Sequence, residues 1–342
     1  MRRAVYAPPG GRAAEIPTEG EIAQSLRDGK GCLWVDFEAP TEDDRRVLQA
    51  LFSFHRLALE DCFSHTHHPR LHDYGDYLYL VVHAMARSPG RPEIQSQLRA
   101  VPAEGAPPRP GLKTAEIDVF LGSNFLVTWH DGGMPALEAA RKRALEVPSL
   151  MARGSDRVLA ELLDEMAEGY VDEVERLNEA IDGLEGRLFQ RAGSSALREI
   201  FGMKKDVVHL RRVLGPQREV VNRLARAEFA IVSKEEALFF RDVYDHVYRT
   251  TEMLESLRDV LTSALEVYLT IMANRTNEIM KVLTIFSIVI MSASLVAGIY
   301  GMNVDLPRVG GEKSRLDFFL LLGLMGVIAG VSIAWFRKRR WI

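Results

Sequence analysis

The strongest constraint on this chain is an uncharged run near its C-terminus. From Val282 to Ile299 the sequence VLTIFSIVIMSASLVAGI carries no acid or base. As a helix, a run of that length crosses the hydrocarbon core of a bilayer. A second uncharged run covers Phe318 to Phe336, and Arg337, Lys338, Arg339 and Arg340 close it. Two spans joined by a short loop form a hairpin with both ends on one side. Basic flanks favour the cytoplasm, so Lys281 and the Arg337–Arg340 cluster point inward and the loop over 300–317 faces outward. The rest of the chain precedes Lys281 and is therefore expected in the cytoplasm. This predicts a multi-pass protein of the inner (cytoplasmic) membrane with both termini inside.

The first span is not a uniform anchor. Asn277, Met280, Thr284, Ser287, Met291, Ser294 and Gly298 recur at the a/d spacing by which a helix faces partner helices. The file extends back through Ser263, Glu266, Thr270 and Ala273. Between its members lie Leu283, Ile285, Phe286, Ile288, Val289, Ile290 and Leu295, which suit lipid or a second ring of helices. One reading is close packing, because small residues let membrane helices approach. The other is a pore lining, because Asn, Thr and Ser in one file suit a hydrated ion better than a dry interface.

Composition excludes other classes. Net charge is −4, which gives no footprint for nucleic acid. The two cysteines, Cys32 and Cys62, fit a reducing compartment. The start of the chain lacks the apolar run of a secretory signal. No nucleophile–base pair, phosphate loop or cofactor motif supports an enzyme or a bound cofactor.

The segment 1–150 reads as mixed α/β. Leu33–Phe37 and Tyr77–His83 are strands by their aromatic and β-branched content. Ile117–Leu121 and Phe125–His130 flank Gly122-Ser123-Asn124 as a hairpin. Thr41 caps a helix with an acidic first turn, and Pro135 starts another that runs to about Glu146. Pro102, Pro107, Pro108 and Pro110 mark a loop. His65, His67, His68 and His72 could bind a transition metal, but Pro69 breaks any helix there, and a polar loop is the simpler reading. Over 151–234 the spacing predicts an acidic antiparallel helix pair that turns at Gly193-Ser194-Ser195, with Pro216 as a kink in its second member. The acids of its first helix either form a solvated face or concentrate cations near a channel's inner mouth. From about Glu235 no Pro or Gly occurs until Gly298. A helix of about 63 residues would be about 95 Å long, too long to bury itself in one small domain, so it must pack on copies of itself. Asp242, Asp245, Glu252, Glu255, Asp259 and Glu266 punctuate its soluble part, and like charges gathered at an interface repel unless a cation lies between them.

Tyr300-Gly301-Met302-Asn303 carries a resemblance. With Phe240–His246, Asn274–Thr284, Ala297–Tyr300 and Arg339-Arg340-Trp341 in this order, the chain resembles the CorA family of divalent-cation channels, whose hallmark is Gly-Met-Asn after the first of two C-terminal spans. The resemblance implies an α+β membrane protein that assembles as a homopentameric funnel. Its parts would be a cytoplasmic α/β domain (1–150), the acidic pair (151–234), a stalk helix entering the membrane (235–299, first span about 282–299), the outer loop (300–317), a second span (318–336) and a basic tail (337–342). Gly301, Met302 and Asn303 would form the outer mouth, where Asn303 meets the water shell of an arriving cation. Gly298, Ser294, Met291, Ser287, Thr284, Leu283, Met280, Asn277 and Glu266 would line the path inward, with Met291 and the Met280/Leu283 level as apolar constrictions. Magnesium would be both substrate and regulatory ligand, bridging subunits at Asp242.

Two departures stand out. The partner carboxylate of the Asp242 site is expected just after the strand ending near Met85, where the sequence reads Ala86-Arg87-Ser88-Pro89. Asp245 or Asp73 are the substitutes. The outer loop, Val304 to Arg315, lacks the family's compact Met-Pro-Glu-Leu and carries Arg308, Lys313 and Arg315, while Asp305, Glu312 and Asp317 remain. The expected function is passive, gated magnesium influx, with cobalt and nickel as further cargo. The rivals are proton-coupled zinc transport of the ZntB type and a membrane scaffold with no pore.

Overall fold

The computed structural model describes residues 1–64, 68–86, 112–190, 193–302, 316–339 and 341. Those residues form two compact units, Met1–Leu265 and Glu266–Ile342.

The first unit is built on a seven-stranded sheet. Its strands are β1 (Arg2–Ala7), β2 (Ala14–Glu15), β3 (Cys32–Glu38), β4 (Arg70–Asp73), β5 (Tyr77–Met85), β6 (Thr114–Gly122) and β7 (Phe125–His130). The spatial order is β2-β1-β3-β7-β6-β5-β4. β3 and β7 pair in parallel, with Val35 opposite Val127, and the other neighbours are antiparallel. The expected hairpin is therefore β6–β7, turning over Ser123 and Asn124. Strands β3 and β5 are buried on both faces, as their near-continuous apolar sequences require.

Alternation sorts the side chains. Leu33, Val35 and Phe37 join Tyr79, Val81, Phe120, Val127 and Trp129 in one core, packed with Leu48, Phe52, Phe54 and Ala58. Leu48 comes from α2 (Glu42–Leu51) and Ala58 from α3 (Arg56–Phe63), Phe52 and Phe54 come from the link between them, and α1 (Glu19–Asp28) adds Ile22. Both α1 and α2 start with a reciprocal capping box, Thr18 with Glu21 and Thr41 with Asp44, so two orphan amides are satisfied at each start. Phe54 stacks on Phe120 with ring centroids 4.1 Å apart.

On the opposite face a polar chain is buried. Trp34 Nε1 donates to Thr128 Oγ1 at 3.1 Å, and Thr128 Oγ1 donates to Asp36 Oδ1 at 2.5 Å. His130 contacts Asp36 Oδ1 through Nε2 at 3.1 Å and the Gly132 carbonyl through Nδ1 at 2.6 Å. Both partners are acceptors, so the ring satisfies both only as imidazolium. Burial pulls the His130 pKa down, but the hydrogen bond and charge of Asp36, with Gly132 and Glu38, outweigh it and leave it raised. A raised folded-state pKa contributes stability below the unfolded value, about 6.5, that is lost as pH rises through the folded value. Melting of the full chain is therefore expected to fall as pH rises from about 6.5. The loss is at most that of one charge-assisted hydrogen bond, about 1.5–3 kcal/mol. His130→Gln should flatten the profile, and parallel profiles for the two proteins would remove this role.

The same face is covered by α4 (Pro135–Glu146), α5 (Pro148–Ala152) and α6 (Ser155–Gln190), and α7 (Ser194–Ala225) follows. Pro135 stands in the first turn of α4, where its missing N–H is harmless. The hydroxyl of Tyr170 on α6 donates to the His83 carbonyl at 2.8 Å, and Gln217 Oε1 on α7 accepts from the His83 amide at 2.9 Å. Helix α7 runs through Pro216. Arg187 at the end of α6 reaches Glu199 on α7 at 2.7 Å.

Helix α8 (Ala237–Tyr300) is 64 residues long. It starts two residues later than Glu235 because Ser233 Oγ takes the Glu236 amide at 3.2 Å, and Asp156 Oδ2 takes the Ser233 amide at 3.0 Å. Its foot is clasped by charge. Glu236 and Glu161 are each 2 % exposed. Arg153 meets Glu236 at 2.6 Å, Arg157 meets Glu161 at 2.9 Å and Glu236 at 3.8 Å, and Arg143 meets Glu161 at 2.6 Å. The Arg157 guanidinium lies 3.8 Å from the centre of the Phe239 ring. Arg157→Ala leaves Glu161 with Arg143 and Glu236 with Arg153 but removes a charge-assisted hydrogen bond to Glu161. It is expected to destabilise the protein by about 1.5–3 kcal/mol, and a chemical-denaturation shift below about 0.5 kcal/mol would show that the clasp is not a unit.

The second unit holds the C-terminal part of α8 and α9 (Leu316–Lys338). Each contains an apolar window with mean hydropathy above 2, at 2.4 and 2.3, none of it buried. On α8 the partly shaded positions include Ile285, Val289, Ser292 and Val296, and on α9 they include Leu321, Met325, Ile328 and Ser332. Each set lies on one helical face.

Candidate functional site: a polar file on helix α8

The file foreseen in the sequence lies on α8 away from its shaded face. Glu266, Asn277, Met280, Leu283, Ser287, Met291, Ser294 and Gly298 are exposed in the single chain, and Thr284 is half-buried. Met291 is the most open of the apolar members at 69 %. A helix inserted in a membrane and exposing Asn, Ser and Glu on one face needs water, an ion or another polar helix there.

The hydroxyls of the file are partly satisfied by their own helix. Thr284 Oγ1 donates to the Met280 carbonyl at 2.8 Å, and Thr270 Oγ1 to the Glu266 carbonyl at 2.9 Å. Such back-bonding uses the proton and leaves oxygen lone pairs outward, the side of a hydroxyl that accepts from a cation's hydration shell.

The two glycines at the outer end differ. A Cβ on Gly298 would meet nothing within 4 Å. Glycine inside a helix costs about 1 kcal/mol relative to alanine, and no contact among the described residues requires it there. A Cβ on Gly301 would press on the Ala297 carbonyl at 3.1 Å. The Gly301 amide donates to that carbonyl at 2.9 Å and the Met302 amide to Ile299 at 3.3 Å, which closes the helix. Met302 is exposed. Asn303 and the loop to Arg315 lie outside the described residues.

Asp242 and Asp245 are exposed on the soluble part of α8, while Val243 and Val247 between and beyond them are buried. Next to Asp245, His246 pairs with Asp164 of α6 at 3.3 Å. Among the described residues no group of three or more His, Cys, Asp or Glu could hold a metal ion, so any cation at Asp242 needs ligands from beyond those residues. Asp73 is engaged in a turn, accepting from the Gly75 amide at 2.8 Å. Residues 87–111, where a partner carboxylate would follow β5, lie outside the described residues, as do the four prolines foreseen as a loop. So do His65 and His67, half of the histidine tract.

The acids of α6 divide into two sets. Glu168, Asp172, Glu175, Glu179, Asp182 and Glu185 are exposed, whereas Glu161 and Glu173 are buried against arginines. The clasp at Glu236 has no local signal in the sequence, because Glu236 is far along the chain from Arg153 and Arg157. Charge periodicity alone does not say which acids turn inward.

Residues 29–338 match the family described as "CorA-like Mg2+ transporter protein". A Bacillus subtilis protein named putative metal ion transporter YfjQ is 29% identical over 90% of this chain and 89% of its own. The cobalt/magnesium transport protein CorA of Thermotoga maritima is 27% identical over 95% of this chain and 88% of its own. Among solved structures, the complete CorA magnesium transporter of Methanocaldococcus jannaschii superposes with a TM-score of 0.79. It is 21% identical and covers 99% of this chain and 98% of that one.

Proposed function

The chain belongs to the CorA-like Mg2+ transporter family, and from that premise we propose that it is a passive magnesium channel, with cobalt and nickel as further cargo, gated by internal magnesium. The observation that carries the reading is the open polar file from Glu266 to Gly298, on a helix face that its own chain leaves uncovered. Five copies around an axis would bring these files together as a pore. Asn303 would offer amide oxygens at the outer mouth to the waters that magnesium releases reluctantly. Asn277, Thr284, Ser287 and Ser294 would continue the polar path, and Met291 and the Met280/Leu283 level would close it by dewetting. In this arrangement residues 1–281 and the basic tail are cytoplasmic, the loop over 300–317 faces out, and the acids of α6 add to the field near the inner mouth. Asp242, with Asp245 beside it, would hold magnesium between subunits, and an emptied site would loosen the ring.

A second reading, proton-coupled zinc transport, rests on the altered outer loop and the histidine tract. Flux into proteoliposomes separates the two, with magnesium, cobalt and zinc each tested with and without a proton gradient. Magnesium influx without a gradient is expected. Zinc uptake that requires the gradient, with no magnesium current, would overturn the channel reading. A protein that assembles yet passes none of the three would be a scaffold.

A further inference from the structure

Most arginines in the first unit are paired with a carboxylate. The end of α9 is different. Arg337, Lys338 and Arg339 are exposed, none has an acidic partner among the described residues, and no acid occurs from Phe318 to the end of the sequence. Cations at a helix C-terminus face its carbonyl ends, which accounts for their place but leaves their outward charge unbalanced.

The aromatic residues around them are ordered. The Arg339 guanidinium lies 5.5 Å from the centre of the Trp335 ring. The chain then turns back, and the Trp341 amide donates to the Phe336 carbonyl at 3.0 Å. The Trp341 ring packs on Phe336 at 5.5 Å, and Phe336 is only 3 % exposed although it ends an apolar span. Trp335 and Trp341 stay 53 % and 41 % exposed. Phe336 is thus the pin of a small fold-back that holds two amphipathic rings beside three unpaired cations.

From this juxtaposition we infer that the Arg337–Lys338–Arg339 turn, with Trp335 and Trp341, is a binding site for the headgroup of an anionic phospholipid in the cytoplasmic leaflet. The phosphodiester takes the guanidinium groups, whose planar forks suit phosphate oxygens. The indoles sit at the glycerol level, where such rings are enriched. Cations needed only to orient the span would require no stacked indole and no fold-back. The inference rests on the membrane placement of α9 and not on which ion is carried.

The test uses the full-length protein in nanodiscs of phosphatidylcholine, titrated with phosphatidylglycerol. Quenching of indole fluorescence by brominated phosphatidylglycerol is compared with quenching by brominated phosphatidylcholine. A basic residue near a membrane surface contributes about 1 kcal/mol toward anionic lipid, so changing Arg337, Lys338 and Arg339 together to Gln should lower the preference by about 100-fold. Arg339→Lys keeps the charge and the insertion signal but loses the planar stack, and should lower it about two- to fivefold, so a failure of the triple variant to insert leaves the site testable. Equal quenching by the two lipids, or a preference unchanged in both variants, would overturn the site. Full competition by soluble glycerol phosphate would overturn it too, since the ligand would then be free phosphate. Cation flux measured on the same nanodisc-purified protein after transfer to liposomes reports separately on the channel reading, so either can fail without the other.

Discussion

Asn303→Ala is expected to reduce magnesium flux by about 100-fold while leaving the assembled protein intact. A hydrated magnesium ion presents outward-pointing water hydrogens, and at the mouth these need acceptors already in place. The side-chain amide oxygen of asparagine provides one. Alanine removes the acceptor and puts nothing in its place. A hydrogen bond to a charged group contributes about 1.5–3 kcal/mol, and in the proposed ring every copy is lost at once, so a barrier increase of about 3 kcal/mol corresponds to about 100-fold in rate. The change lies beyond α8, which is already closed by the bonds from Gly301 and Met302 to Ala297 and Ile299. Oligomeric state and melting should match the unaltered protein. Flux within twofold of normal, in protein that assembles, would support the scaffold reading instead. Gly301→Ala is a useful contrast, since its Cβ meets the Ala297 carbonyl at 3.1 Å. It should perturb the helix end itself and so lower stability along with flux.

The features fixed by local chemistry were the legible ones. Thr41 and Asp44 announce α2 because a capping box is a matter of adjacent residues, and Pro135 marks α4 for the same reason. Strands β3, β5, β6 and β7 are legible as runs such as Tyr77–His83, whereas β1, β2 and β4 are too polar or too short to read, and Arg70–Asp73 is a strand where the sequence suggests a polar loop. The strand order is not legible either, since the parallel pairing of β3 with β7 joins segments far apart in sequence. The polar file was visible because its spacing follows from helix geometry alone. Charge was harder to read. The acids of α6 look alike in sequence, yet Glu161 is held inside by Arg143 and Arg157 while Glu168 faces outward. Position on the helix relative to α4 and to the foot of α8 decides between them. Likewise Asp36, Thr128 and His130 form a buried polar chain that no spacing rule finds, because it exists only once β3 and β7 lie side by side.

Asp242→Lys is expected to uncouple the channel from internal magnesium. Asp242 is exposed on α8, one helical step from the buried Val243 and three residues from the exposed Asp245. Two carboxylates brought to about 4 Å across a subunit boundary repel by about 4 kcal/mol at an effective dielectric of about 20. A bridging divalent cation reverses the sign of that interaction, and its departure restores the repulsion. Lysine puts a fixed positive charge where the cation would sit, so the boundary is attractive whether or not magnesium is present. The midpoint for inhibition by internal magnesium should therefore shift by at least about tenfold, or the inhibition should disappear, while permeation through the distant file keeps its selectivity. Stability is expected to stay within about 0.5 kcal/mol, because the substitution is at an exposed helical position and lysine is the better helix former. Flux into proteoliposomes at graded internal magnesium reads the effect directly. An inhibition midpoint equal to that of the unaltered protein would remove Asp242 as the sensor, and a shift seen only in Asp245→Lys would move the site by one turn along the same helix.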